Sequence, residues 1–374
     1  MVYKEFCSLL SGIFTHSLLA PERPLIWTTI ANPKAGGFTI KSRWKKHHAQ
    51  LAECAKKAQG NKLREANPSK TALKDGGDTR REGLICTTKA GHAAKITADL
   101  IIEAGTGLME AASKNEPMPF YLIVTAGGDG TSLEAMTSLY NAAPEIRDSF
   151  AILRLPMGTG NDGSDAWELD KSLDLLIEPS YIVKQRAIRL RTASGKGPFY
   201  AFNILSVGLD AFVTHMTNKM KGKLPGDSYK LWVDIASLLY DRIYTVDYME
   251  VRSMDGNGQE VNAFREKILL LAVGESGRRS YGSHKWILPD ERNICAMRQM
   301  PLFRKLALKG LFAYGTHIDK PEAMLWNAQS VEFSALHPIL AQMDGETVLL
   351  SGGDYPAAIE LTEPAIQILK KRVD

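Results

Sequence analysis

Three glycine-rich turns carry the residue types with which this chain could do chemistry. They are Asn32-Pro33-Lys34-Ala35-Gly36-Gly37, Gly127-Gly128-Asp129-Gly130-Thr131 and Pro156-Met157-Gly158-Thr159-Gly160-Asn161-Asp162. Glycine lets backbone N–H groups approach phosphate oxygens with no Cβ in the way. A helix beginning directly after Thr131 would add its positive dipole end. Asp129 is unfavourable beside bare phosphate, yet sensible if it faces Mg2+ directly or through water. One such turn alone is ordinary loop punctuation. Three of them, each following a strand-like run, point to a shared phosphate site, because ligands of open α/β sheets bind beyond the carboxyl ends of the strands.

The elements that must position these turns can be read from the apolar runs. Leu25–Ala31, Gly83–Thr87, Phe120–Thr125 and Phe150–Leu155 are short apolar runs, three of them closed by glycine or proline, as buried parallel strands are. Helical patterns lie between them at 40–58, 90–104 and 132–141. The spacing predicts an N-terminal doubly wound α/β domain with a parallel sheet. Later runs at 181–190, 199–207, 247–253, 263–273 and 331–336 read as strands, with helical pieces at 228–242 and 301–311. Asp255-Gly256-Asn257-Gly258 is a hairpin turn, because Gly and Asn accept positive φ. These features predict a C-terminal antiparallel β-sandwich domain. The expected organisation is a helix over 1–20, a nucleotide-binding α/β domain over 21–165, a β-rich acceptor domain over 166–355, and a tail over 356–374 that packs back on the first domain. Residues 59–82, polar and poor in large apolar side chains, read as an exposed insertion.

Composition narrows the class. With 374 residues, 44% hydrophobic and 24% charged, the chain suits two folded domains. A net charge of +4 is too weak to imply nucleic-acid binding and fits anionic substrates or an anionic membrane surface. Four scattered cysteines give neither a metal site nor a disulfide framework, which makes a reducing cytoplasm the default. No HExxH motif suggests a zinc enzyme, and no run of 18 apolar residues suggests a membrane span. Phe6, Leu9, Leu10, Ile13, Phe14 and Leu18 recur at helical spacing, which reads as a helix docked on the core or on a partner chain, with an interfacial membrane helix as the competing reading. Gly158–Gly163 satisfies GxGxxG literally, but the dinucleotide fingerprint belongs at the first strand, where Pro33 and Lys34 stand instead. GxxxxGK[ST], HRD and DFG are all absent.

On these motifs the chain resembles the diacylglycerol kinase catalytic-domain family of bacterial lipid kinases, sphingosine kinases and ceramide kinases, and more distantly NAD kinases. Gly127–Thr131 matches the family's GGDGT, Pro156–Asp162 its P-x-GTGND run, and Asn32–Gly37 is similar to its first phosphate loop. Asn203–Ala211 is similar to a segment ending Gly-x-Asp-Ala, and Asp344-Gly345-Glu346 to a late DGE motif. The resemblance implies an α/β domain and a β-sandwich, with Mg2+ and ATP as cofactor and substrate. It implies Asp344 as general base and Asp129 at the Mg2+–ATP complex, with Glu346 assisting the metal. It implies Asn32, Gly36, Gly37, Gly127, Gly128, Gly130, Thr131, Gly158, Thr159, Gly160 and Asn161 at the nucleotide, and Asp210 at the acceptor's polar head. Read without it, Asp344-Gly345 is a hairpin turn, Asp210 a helix cap, and the cluster Lys41, Arg43, Lys45, Lys46 a solvated helix face, with binding of phosphate or anionic lipid as the competing reading.

The sequence departs from the family in two places. Ala35 stands where the first loop usually has serine. The Asp-Gly pair that holds a structural Mg2+ in some bacterial members is replaced by Glu291-Arg292-Asn293-Ile294, after a segment (Gly282–Asp290) that only loosely matches. The expected activity is transfer of the γ-phosphate of ATP to a lipid hydroxyl, the alternatives being a soluble acceptor (NAD or a sugar) or a non-catalytic nucleotide-binding regulator. Expected partners are ATP, a lipid acceptor, a transient anionic membrane surface and a second copy of the chain, with no nucleic acid. The expected location is the cytoplasm, peripheral to a membrane.

Overall fold

The structure, a computed structural model, describes residues 2–70, 83–158, 160–220, 240–281 and 285–372. The chain forms two compact units, Met1–Gln185 with Pro364–Asp374, and Arg186–Glu363.

The first unit contains α1 (Val2–Phe14), β1 (Leu25–Ala31), α2 (Gly36–Thr39), α3 (Lys41–Ala58), β2 (Ala66–Pro68), β3 (Leu84–Cys86), α4 (His92–Lys114), β4 (Phe120–Gly127), α5 (Asp129–Tyr140), α6 (Pro144–Arg147), β5 (Phe150–Pro156), α7 (Leu169–Ile177) and β6 (Ser180–Gln185). Strands β1, β4 and β5 are parallel neighbours, buried along nearly their whole length, which is why they read as continuous apolar runs. Their side chains alternate between faces. Phe120, Leu122, Val124 and Ala126 join one core cluster with residues of α1, α3 and α7, while Tyr121 stacks on Phe150 at 5.0 Å on the opposite face. The N-terminal segment is thus a helix docked on its own domain, with Phe6, Leu10, Ile13 and Phe14 buried.

Several boundaries differ from the sequence expectation. The first unit runs to Gln185, because α7 and β6 belong to it. The run read as one strand over 181–190 is two strands in different sheets, β6 and β7 (Ile188–Arg191). The tail divides. Ala357–Leu361 pairs with β7, whereas Ile366–Lys371 enters the first sheet, where it runs parallel to β5 and antiparallel to β6. The stretch expected to be an exposed insertion holds an edge strand, β2, parallel to β1. The Arg64 guanidinium donates to the carbonyls of Leu19, Ala20 and Arg23, tying that stretch down. Residues 71–82 of the expected insertion and 228–239 of the expected helix lie outside the described residues.

The second unit is a large curled antiparallel sheet with helices inserted. It opens with β7, β8 (Phe199–Ala201), β9 (Ile204–Gly208), α8 (Leu209–Met220), β10 (Tyr248–Met254) and β11 (Glu260–Gly274). The hairpin 255–258 forms as its sequence predicts, with the Asp255 carboxylate accepting from the N–H groups of Asn257 and Gln259. The 15-residue β11 has two characters. Its first half alternates in burial and pairs with β10, while its second half, Ile268–Gly274, is buried throughout and pairs with β9 and Ile294–Arg298. One face of that half packs in a core with Phe333 and Ile359, the other with Phe212 of α8. A long strand that passes between layers is how such a sheet closes over its own core.

Candidate active site

The register of the first sheet sets the three turns side by side. Ala31 lies opposite Ala126, Ala126 opposite Leu155, and Gly127 opposite Pro156, so the three strands end level. The turns then touch. The Gly37 N–H donates to Met157 O at 2.9 Å, and the Asn32 N–H to Ala126 O at 2.9 Å. A Cβ placed on Gly158 would lie 2.6 Å from the Cα of Gly128, and one on Gly37 would lie 2.9 Å from Met157 O. Only glycine allows two backbones this close.

The second turn differs from expectation in one respect. Helix α5 begins at Asp129 with Gly128 as its N-cap residue, so Asp129, Gly130 and Thr131 are themselves its first turn. The first N–H groups of a helix have no intrahelical partner, and its dipole favours an anion there. Thr131 is buried, and a Cβ on Gly127 would meet its Oγ1 at 2.5 Å. Asn32 and Asn161 shape their own turns. Asn32 Oδ1 accepts the Lys34 N–H at 3.0 Å. Asn161, at φ +59°, accepts the Gly158 N–H at 2.7 Å. Thr159 lies outside the described residues.

Asp129 Oδ1 accepts the Gly163 N–H at 3.0 Å, tying the second turn to the third. A Cβ on Gly160 would fall 3.0 Å from Asp129 Oδ2 and 3.2 Å from Asp162 Oδ2, so two carboxylates border the space beside Gly160. Carboxylate oxygens of this kind, next to helix N–H groups, fit a hard cation shared with phosphate oxygens. A buried ion pair holds the third turn from behind, with Arg154 Nη2 donating to Asp165 Oδ1 at 2.6 Å and the Arg154 backbone N–H to Asp165 Oδ2 at 2.6 Å. Sequence reasoning missed this pair, although an arginine inside the apolar run Phe150–Pro156 is a visible signal that an acid must meet it. It also missed a brace on the first turn. The Tyr3 hydroxyl donates to Pro33 O at 3.1 Å, and Phe6 packs edge-on against Phe38 at 5.1 Å.

In the second unit, Asp344 occupies the turn of the hairpin Ile339–Met343 and Glu346–Leu350, at φ +43°. Its carboxylate is buried among backbone donors. Oδ1 accepts from the N–H groups of Asn203 at 3.1 Å and Ile204 at 3.0 Å, and Oδ2 from those of Phe202 and Asn203. Three backbone N–H groups, that of Asn203 shared, thus hold the two oxygens. From this hairpin turn Asp344 anchors the chain entering β9. Glu346, one residue past Gly345, is exposed. Asp210 lies in the first turn of α8. Its Oδ2 accepts from Ser206 Oγ at 2.6 Å and Gln342 Nε2 at 3.4 Å. Gln342 Oε1 in turn accepts the Gly345 N–H at 3.1 Å, so a buried amide links Asp210 to the turn that carries Asp344.

Residues 27–193 match the model of the diacylglycerol kinase catalytic domain, a span that contains all three glycine-rich turns. That stretch of the chain is similar to a diacylglycerol kinase catalytic domain. The matched span ends before Asp210, Asp344 and Glu346. A "Probable lipid kinase YegS-like" of Enterobacter sp. (strain 638) is 25% identical over 62% of this chain and 73% of its own length. Another of that description, from Yersinia enterocolitica, is 28% identical over 66% of this chain and 77% of its own. Two solved structures from Bacillus anthracis str. Sterne that bear the name diacylglycerol kinase share the fold. One has a TM-score of 0.57 at 18% identity, covering 93% of this chain and 95% of that one, and the other a TM-score of 0.51 at 15% identity, covering 93% and 97%. This kinase family is one of phosphotransferases, which suits a site made of backbone donors and carboxylates.

Proposed function

We propose that this kinase transfers the γ-phosphate of ATP to a hydroxyl group of a lipid. The observation that carries the reading is the meeting of three glycine-rich turns at the level ends of β1, β4 and β5, with the backbones of Gly128 and Gly158 in contact. Phosphoryl transfer needs positioning and charge neutralisation more than covalent chemistry from the protein. Backbone N–H groups of the turns and the start of α5 hold the phosphates. Asp129, with Asp162 beside it, holds Mg2+, which when bound neutralises the charge developing on the phosphoryl oxygens. Asp344 orders the turn that carries Glu346, and Glu346 is an exposed carboxylate of that turn, able to take a proton from an acceptor hydroxyl. Asp210, held by Ser206 and Gln342, meets the acceptor's polar head. The lipid acceptor is supported by the names of the relatives. Among the described residues no helix is long and apolar enough to cross a membrane, and the proposal has the kinase visit an anionic surface from the cytoplasm. Incubation with radiolabelled ATP and a panel of lipids, sugars and NAD tests the reading. Label in a lipid product supports it, and label only in NAD or a sugar refutes it.

A second reading, a nucleotide-binding regulator without turnover, is favoured by the burial of Asp344 among backbone amides and by a first turn with alanine at 35. Mg2+–ATP binding with no labelled product from any acceptor in the panel would select it.

A further inference from the structure

The first phosphate turn is short of donors for an anion. Ala35 brings no side-chain hydroxyl. The backbone N–H groups of Lys34, Ala35, Gly37 and Phe38 are already bonded, to Asn32 Oδ1, Asn32 O, Met157 O and Ala35 O respectively. A phosphate approaching this corner therefore meets few open amides.

A cation from α3 reaches that corner. Arg43, on the first turn of α3, directs its guanidinium to the junction of the first and third turns. Its Nη1 is 3.5 Å from Gly158 O, and a Cβ on Gly36 would lie 2.9 Å from the same nitrogen. That long bond to a carbonyl is the one polar contact of Arg43 among the described residues, and no carboxylate of those residues pairs with it. Lys46, from the same basic run, is bonded to Glu168 at 2.5 Å. His47, packed against Gly37, is pushed toward its neutral form by burial, then by the charges of Lys46 and Arg43. The run that reads as a solvated helix face thus contains one residue, Arg43, with a different geometry. A half-buried guanidinium that keeps most of its N–H groups uncommitted beside two glycine turns matches the oxygens of a polyphosphate.

We propose that Arg43 binds the polyphosphate of the nucleotide, supplying the donors that the first turn lacks. The inference rests on the nucleotide-binding reading above and adds to it a specific charged contact. Loss of a charge-assisted bond of this kind weakens binding by about tenfold or more.

The test is calorimetric binding of Mg2+–ATP, Mg2+–ADP and adenosine to the full chain. Arg43→Ala should weaken ATP and ADP at least about tenfold and leave adenosine unchanged, and Arg43→Lys should recover part of the loss. Lys46→Ala, whose ammonium is held by Glu168, should bind like wild type. Gly36→Ala displaces the guanidinium while keeping its charge, so it should act in the same direction, and the double variant should lose little more than Arg43→Ala alone. Thermal unfolding of each variant separates lost binding from lost fold. Wild-type ATP affinity in a folded Arg43→Ala overturns the inference, as does an equal loss in Lys46→Ala, which would indicate a diffuse field. Binding to phosphatidylglycerol vesicles is the remaining arm. If Arg43→Ala loses vesicle binding and keeps ATP binding, the guanidinium serves a lipid headgroup and the inference is wrong. If wild type binds no nucleotide at all, the failure belongs to the underlying reading.

Discussion

Replacing Asp344 by asparagine distinguishes an anchor from a base, and the structure sets the size of the effect. The carboxylate meets three backbone N–H groups, those of Phe202, Asn203 and Ile204. Asparagine keeps one acceptor oxygen and turns the other into an NH2 donor. If the oxygen takes the Oδ1 place, the Phe202 N–H faces a donor, and if it takes the Oδ2 place, the Ile204 N–H does. Leaving one buried donor unsatisfied costs about 1–3 kcal/mol. The remaining bonds also lose their charge assistance, which roughly halves their strength. Together these give a destabilisation of about 3 kcal/mol. For a unit the size of Arg186–Glu363, that lowers Tm by roughly 6–12 °C. The backbone does not confound the comparison, because asparagine tolerates the φ of +43° at this turn. Calorimetric unfolding and phosphotransfer on the same preparation provide the readout. A Tm within about 1 °C of wild type, with turnover abolished, would refute the anchoring argument and return Asp344 to the chemistry.

Three other outcomes are expected. Gly158→Ala places a Cβ 2.6 Å from the Cα of Gly128, so the second and third turns must separate. Mg2+–ATP affinity should fall at least about tenfold by calorimetry, and an unchanged affinity would exclude these turns as the phosphate site. Asp129→Asn keeps an acceptor for the Gly163 N–H while removing the charge proposed to face Mg2+. It should lose most turnover with little change in Tm, and full activity at unaltered Mg2+ demand would reject the metal role. Burial holds His317 down to about 4, against an ordinary value of 6.5, outweighing the Ile287 carbonyl and Asp290, which favour the charged ring. The unfolded chain therefore binds a proton that the folded one refuses. Stability from this group is fully present above pH 6.5 and is lost as pH falls toward 4, by about 3 kcal/mol in all. Urea titrations across that range should show a shallower pH slope for His317→Gln than for wild type, and parallel slopes would contradict the sign argument.

Much of the first unit follows from local rules. Apolar runs closed by glycine or proline and too short for a helix read as buried strands, and β1, β4 and β5 lie where such runs occur. The three turns are legible for the same reason, since their glycines mark where backbones can approach closely, as they do at Gly37 and Gly158. The antiparallel character of the second unit and its 255–258 hairpin likewise rest on alternation and turn chemistry within a few residues. What escaped the sequence depends on partners far apart along the chain. Phe202 and Asp344 are 142 positions apart, so no local pattern could show that backbone amides occupy the Asp344 carboxylate. Arg43 and Lys46 look alike in sequence, and only the packing of α3 against the glycine turns sets one beside Gly158 and the other on Glu168. The strand Ile366–Lys371 could be read as a returning tail, but its place alongside β5 and β6 is a matter of sheet pairing. Short-range sterics and periodicity are written residue by residue, whereas the partner of a charge or a strand edge is chosen when distant segments compete to satisfy it.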